Sequence, residues 1–308
     1  MKIAFVGKGG SGKTTLSALF TRRLVAAGAP VLAIDADINQ HLAAALGATD
    51  EQVLTLPTLS AHLLLIKDWL RGSNPRIATA AQMIKTTPPG SGSRLLKVVE
   101  DNPVYAACVR EVNGARLALT GPFTDDDLGV ACYHSKVGAA ELLLNHLADE
   151  AGEYVVVDMT AGADSFASGL FTRFDLTALV CEPTRRSVGV YRQYLGYAKD
   201  FGIRVAVIGN KVCDEDDLDF LRDQVGDDLL CWLGRSAHVR SAERGQVRPV
   251  DELEPDNLAA LDTIRAELDG TVRDWAAYQR QAVEFHLRNA RAWAGEDLAA
   301  QVDPDFVR

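Results

Sequence analysis

With 308 residues, 47% of them apolar and 24% charged, the chain is long enough to bury roughly three quarters of its unfolded surface without disulfides or metal, which excludes disorder as its whole character. Its 42 acidic against 32 basic side chains leave a net charge of −10. There is no Lys/Arg-rich run, so non-specific duplex binding by bulk charge is not expected, a local basic patch being the alternative, and nucleic acid is not an expected partner.

The longest apolar runs, such as residues 63–66, fall far short of the roughly 20 that a spanning helix needs. The start, Met1-Lys2-Ile3-Ala4-Phe5-Val6 and then glycine, is too short an apolar core for a secretory signal. Residues 297–308 carry more acids than bases and no cationic apolar face, so a membrane is not an expected partner either. The cysteines, Cys108, Cys132, Cys181, Cys213 and Cys231, are odd in number and widely spaced, as suits reduced thiols. The expected location is cytoplasmic.

In chain order, short β-branched runs at residues 2–6, 31–35, 154–158, 178–181, 204–209 and 229–233 alternate with helical patterns at 14–27, 136–150 and 187–201. Gly28, Gly152 and Gly202 close those patterns where a helix end favours glycine. Near-continuous apolar strands are buried on both faces, so this alternation predicts an α/β fold: a mostly parallel, doubly wound sheet with helices on both faces. Residues 55–121 break the rhythm and read as an insertion. Within it Asn113-Gly114, the pair a tight hairpin favours, separates runs at 104–111 and 115–119, and the Pro/Gly/Ser stretch 86–93 is expected to be mobile. After Gly270, Val272, Trp275, Val283, Leu287 and Ala290 recur at helical intervals. The organisation expected is one domain over 1–270 and a C-terminal helical extension over 271–308, packed on its own domain or offered to a partner.

The segment Gly7-Lys8-Gly9-Gly10-Ser11-Gly12-Lys13-Thr14-Thr15 follows the first strand, opens the first helix and matches the phosphate-loop pattern G-x-x-x-x-G-K-[ST] in full. The glycines let successive backbone N–H groups from Gly9 to Gly12 turn toward phosphate oxygens, and the helix start adds partial positive charge. Lys13 is expected to neutralise the β and γ oxygens, the Thr14 hydroxyl to join a Mg²⁺ shell, and Thr15 to donate to the α-phosphate. Asp158, at the tip of the strand 154–158, faces the crevice where open α/β sheets bind ligands and is expected to hold a Mg²⁺-bound water. Asp37, just past the second strand, is expected to reach the γ-phosphate side, share in the metal's surroundings and orient the attacking water. The expected ligands are ATP or ADP with Mg²⁺.

Lys8 beside Gly9-Gly10, then Asp35-Ala36-Asp37 and the run 158–162, resemble the deviant Walker A P-loop ATPases of the MinD/ParA/nitrogenase-iron-protein (SIMIBI) class. The resemblance implies that Lys8 reaches across a nucleotide-bridged homodimer to the partner's phosphates, and that hydrolysis toggles the dimer's shape. A lysine that contacts its own phosphates, or solvent, is the plainer alternative. Within the class, the run 157–162, Glu182-Pro183 with Ser187, and Gly209-Asn210-Lys211-Val212 are most similar to the ATPases that help mature nickel-containing carbon monoxide dehydrogenase, over most of residues 1–245. That likeness implies a Gly162 backbone N–H meeting the γ-phosphate and base recognition at Asn210, with Lys211 beside it as a further nucleotide-binding residue. A guanine reader of the N-K-x-D type needs an acid at position 213; Cys213 stands there, and adenine is favoured.

Those relatives carry a C-x-C pair through which two subunits supply four thiolates to a metal, whereas this chain has Cys132-Tyr133-His134. One Cys/His pair from each of two copies makes a tetrahedral set suited to Zn²⁺, or to nickel, at the dimer interface. A small core cysteine and a histidine at a helix start is the alternative. The acidic run 214–217 reads as a solvated helix start, favoured by the helix dipole. Arg185, Arg186, Arg235, His238, Arg240 and Arg244 lie near the expected crevice edge. The expectation is a Mg²⁺-dependent ATP hydrolase that dimerises around nucleotide and acts on an unidentified protein client, with metalloenzyme maturation, as of a metallochaperone, one such role. Two alternatives stay open: a positioning or partition ATPase of the MinD/ParA kind, and an ATP-dependent ligase or kinase with its substrate pocket in 55–121.

Overall fold

Alternate residues of the first strand point to opposite faces of a sheet: Ile3 and Phe5 pack into one hydrophobic layer, Ala4 and Val6 into the other. The computed structural model describes residues 1–122, 133–160, 166, 168–295, 297–303 and 305–306. The chain begins β1 (Lys2–Gly7), α1 (Lys13–Ala26), β2 (Val31–Ala36), α2 (Leu42–Ala45), α3 (Asp50–Thr55) and α4 (Leu63–Arg71). Then come β3 (Leu96–Lys97), α5 (Pro103–Cys108), β4 (Val109–Val112), β5 (Ala115–Leu119), α6 (Tyr133–His146), β6 (Leu147–Ala148) and β7 (Tyr154–Met159). It ends β8 (Leu176–Cys181), α7 (Arg185–Ala198), β9 (Val205–Val212), α8 (Glu215–Val225), β10 (Leu229–Gly234), α9 (Ala237–Ala242), α10 (Pro255–Asp269) and α11 (Trp275–Asn289).

The main sheet runs β10-β9-β8-β1-β7-β2-β5-β4, parallel except for the last pair, and β3 with β6 forms a small parallel ladder of its own. Leucines and Phe20 of α1 with Leu261, Ile264 and Leu268 of α10 cover one face. Residues of α4 to α8 cover the other. The six strands foreseen in the sequence are β1, β2, β7, β8, β9 and β10, and the doubly wound α/β architecture is as expected.

Three local expectations need correction. Asn113 and Gly114 do turn the hairpin, at φ of 47° and 85°, but β5 pairs in parallel with β2 and so belongs to the main sheet. The run 104–111 is strand only from Val109, because the Asn102 side chain accepts the Tyr105 N–H at 2.8 Å and Pro103 occupies the first turn, starting a helix instead. The segment 86–93 is not a free loop either. Thr86 to Gly90 are buried, the Thr86 hydroxyl meets His286 Nδ1 at 3.3 Å, and Asp303 accepts the Ser91 N–H at 2.8 Å.

The C-terminal helix packs on its own chain. Arg273 donates to Asp175 at 2.7 Å and to Asp149 at 2.9 Å, and Lys2, fully buried, reaches Asp149 at 3.0 Å and the Tyr278 hydroxyl at 3.1 Å. Further along α11, Phe285 lies so close to Gly169 that a Cβ there would come within 2.3 Å of the ring.

Candidate nucleotide site

The site is built where the carboxyl ends of β1, β7 and β2 meet the start of α1. At Gly7, φ is +145° and a Cβ would come 2.6 Å from the Val180 carbonyl oxygen, so only glycine lets the chain leave β1 between its two neighbours. Gly12 stands at the α1 N-cap with φ +99° and no side-chain cap, which leaves the first-turn N–H groups to a ligand. Lys13 is buried beneath the loop, its Nζ 3.5 Å from the Lys8 carbonyl. Lys8 is half-exposed, and among the described residues its Nζ meets only the Gly9 carbonyl, at 3.3 Å.

Asp158 lies at the bottom of this cradle. Ser17 Oγ donates to its Oδ1 at 3.4 Å, the Thr14 side chain also bonds it, and its buried Oδ2 has no partner among the described residues. Burial pushes the Asp158 carboxyl up, against the Thr14 bond and the Lys13 charge. Asp35 is its cross-strand neighbour in the β2/β7 ladder and is pushed well up, by burial first and then by the charge of Asp158. Asp35 spends both oxygens on the following turn, accepting from Asp37 N at 3.1 Å and Leu42 N at 2.9 Å. Asp37 is thereby held over the cradle; its Oδ1 accepts the Asn39 N–H at 2.9 Å and side-chain amide at 3.0 Å. Its Oδ2 has no hydrogen-bond partner among the described residues.

Asn210 and Lys211, at the end of β9, buttress the loop from the other side. The Asn210 amide donates to the Ser11 carbonyl at 2.7 Å, and Lys211 Nζ to the Gly10 carbonyl at 2.7 Å and to Glu182 at 2.7 Å. Asn210 is so close to Gly12 that a Cβ there would come 2.2 Å from its nitrogen. A cavity of about 230 Å³ opens beside this contact, lined by Gly12, Thr15, Asn210, Gly234, Arg235 and Asn257 among others. It is of a size and place to take a base joined to phosphates in the loop.

The loop glycines, Ser11, Lys13, Thr14, Thr15, Asp37, Asp158, Asn210 and Lys211 are thus brought together as the sequence suggested. Gly162 and Cys132 lie outside the described residues, as does the side chain of His134; among the described residues no group of three or more His, Cys, Asp or Glu could hold a metal. The oxygen set at Thr14 and Asp158, one carboxylate oxygen of it orphaned, does fit Mg²⁺, which takes one or two protein oxygens and fills the rest with phosphate and water. Ser17 and Glu182 were missed as site residues. The signal for Ser17 was a hydroxyl one helical turn after Lys13, on the same face of the helix.

Fold and loop together define a P-loop nucleotide-binding protein. Residues 3–247 match the family described as the CobQ/CobB/MinD/ParA nucleotide binding domain, and the chain belongs to that family. It is 32% identical over 246 residues to the carbon monoxide dehydrogenase accessory protein CooC of Rhodospirillum rubrum, covering 79% of this chain and 87% of that one. It is 29% identical over 251 residues to an uncharacterized ATP-binding protein of Methanocaldococcus jannaschii, covering 79% and 88%. Among solved structures, a ParA family ATPase from Chlorobium tepidum aligns with a TM-score of 0.58 at 17% identity, over 87% of this chain and 98% of that one. The MinC:MinD cell division complex of Aquifex aeolicus aligns at 0.55 and 19%, over 88% and 97%. These two share the fold. The chain is therefore an ATPase of the MinD/ParA type, related to CooC. No helix among the described residues is long and apolar enough to cross a membrane.

Proposed function

We propose that this chain hydrolyses ATP with Mg²⁺, dimerises around the bound nucleotide, and uses turnover as a conformational switch acting on a protein client. The observation that carries the reading is the contrast between the two loop lysines. Lys13 is buried against its own cradle, whereas Lys8 is half-exposed and, among the described residues, meets a single carbonyl of its own loop. An amine so placed serves the triphosphate of a second copy.

Lys13 and the first-turn N–H groups of α1 hold the β- and γ-phosphates. A bound Mg²⁺, held by the Thr14 hydroxyl and through water by Asp158 with Asp37 nearby, supplies positive charge where the phosphoryl oxygens gain negative charge. Asp37, anchored through Oδ1, keeps Oδ2 for the attacking water. Gly162 is the candidate for the γ-phosphate, and Asn210, held through its nitrogen, keeps its amide oxygen for the exocyclic amine of adenine. Most of the rate enhancement then comes from positioning and charge.

That the Rhodospirillum rubrum relative is an accessory protein of carbon monoxide dehydrogenase supports a metalloenzyme under maturation as the client. Cys132 and His134 are the candidates for a Zn²⁺ or nickel site shared by two copies. We assign the ATPase unit to residues 1–270 and an extension to 271–308, working in the cytoplasm. Asp37→Ala should bind ATP as the parent does yet lose turnover by roughly a hundredfold or more. Lys8→Ala should bind Mg-ATP as a monomer in light scattering. Normal turnover in the first, or an ATP-dependent dimer in the second, refutes the assignment. Co-sedimentation with anionic vesicles or DNA in ATP favours a positioning ATPase instead.

A further inference from the structure

The outer wall of the base cavity is the bend from β10 into α9, residues 234–237, and it is held from a distance. The Gly234 N–H donates to Asn257 Oδ1 at 2.9 Å, and Asn257 Nδ2 donates to Glu254 Oε2 at 3.1 Å. The other oxygen of Glu254, Oε1, accepts the Ala237 N–H at 2.8 Å, while Ser236 bonds Glu254 and caps the Val239 N–H at 2.9 Å. Asn257 is 3% exposed and lines the cavity with Asn210, Gly234, Arg235 and Ser236. Burial works to raise Glu254, but the Ser236 side chain, the Ala237 N–H and Asn257 hold it down to about 2, so it is an anion at any working pH.

Two consequences follow from elementary chemistry. The bend reads Gly234-Arg235-Ser236-Ala237 and opens on a glycine, and the first turn of α10 supplies the hydrogen bonds that fix its backbone. The N–H groups of Gly234, Ala237 and Val239 are taken by side chains, which fixes the bend, while Arg235 and Arg240 bring donors to the cavity. The Asn210 amide oxygen, left free by the nitrogen's bond to Ser11, accepts from the exocyclic amine of adenine and opposes the O6 of guanine.

We infer that Asn257 and Glu254 are positioning residues for base recognition, locking the 234–237 wall so that an adenine nucleotide seated against Asn210 is preferred over its guanine counterpart. The inference rests on the ATPase reading above. Steady-state turnover and binding of fluorescent ATP and GTP analogues by the full chain test it. Asn257→Ala is expected to raise KM for ATP about tenfold, keep kcat within about twofold, and shrink the ATP-over-GTP preference. Asn257→Asp alone sets two carboxylates against each other and should do at least as much damage. Combined with Glu254→Gln, it reverses donor and acceptor while keeping an acceptor for both Gly234 and Ala237. The pair should restore KM and preference to within about threefold of the parent.

An unchanged KM in Asn257→Ala overturns the inference. So does a fall in kcat that tracks a lowered melting temperature and is not rescued by the reversed pair. A parent chain that neither binds nor hydrolyses ATP fails the ATPase reading itself, visibly in the control, and takes this inference with it.

Discussion

The two ends of the sheet bury carboxylates in opposite ways. At the amino ends, Asp149 and Asp175 share Arg273, and Asp149 also meets Lys2. Burial alone would raise Asp149, yet these cations hold it well below the usual carboxylate range. At the carboxyl ends, Asp35 and Asp158 face each other across β2 and β7, and both are pushed up by burial. One end is electrostatically completed by the chain itself. The other keeps its cost, which a cation and its nucleotide relieve, and that cost is what makes it a site.

The contrast breaks if charge removal has the same sign at both ends. Asp158→Asn should cut turnover by roughly a thousandfold, about 4 kcal/mol of barrier. Without nucleotide its melting temperature should hold or rise, because a buried like-charge contact with Asp35 is relieved; calorimetry beside kcat measures both. Arg273→Met, at the opposite end, should destabilise by about 3 kcal/mol in denaturant titration, since it leaves two buried carboxylates short of their shared cation. Its KM for ATP should stay within about twofold.

A smaller effect sharpens the comparison through pH. His286 is fully buried, and burial lowers it from 6.5 to about 4. Between those values the unfolded chain binds the extra proton, so this contribution to stability is complete above pH 6.5 and is lost as pH falls toward 4. The loss should be on the order of 3 kcal/mol, and His286→Phe should flatten that limb in melting curves across this range. Smallest of all, Glu182→Gln removes an exposed partner of Lys211. It should cost less than about 1 kcal/mol and raise KM for ATP only slightly.

Much of this was legible because it is local. The loop from Gly7 to Thr15 declares itself by spacing, and Asp158 by ending an apolar run. The hairpin was read but not its place, since alternation along β5 does not say that β2 is its neighbour. The helix at 103–108 was hidden by its apolar composition, although Asn102-Pro103 was a legible start signal. Asn257 and Glu254 left no trace in the sequence, because their work is done on residues some twenty positions back and depends on how α10 docks. The segment 86–93 looked mobile by composition, yet Thr86 to Gly90 are buried and the segment is tied down, because His286 and Asp303 come to it from 200 or more residues away.

The ionic cluster beneath the sheet joins residue 2 to residue 273. During synthesis Lys2 leaves the ribosome some 270 residues ahead of Arg273. The charge cluster at the start of β1 is therefore incomplete until Arg273 has emerged, and its closure is a long-range, entropically costly step. A chain released early, before Arg273 emerges, carries two buried acids and an intact phosphate loop, so it is a candidate to bind nucleotide while remaining open to proteolysis at its base.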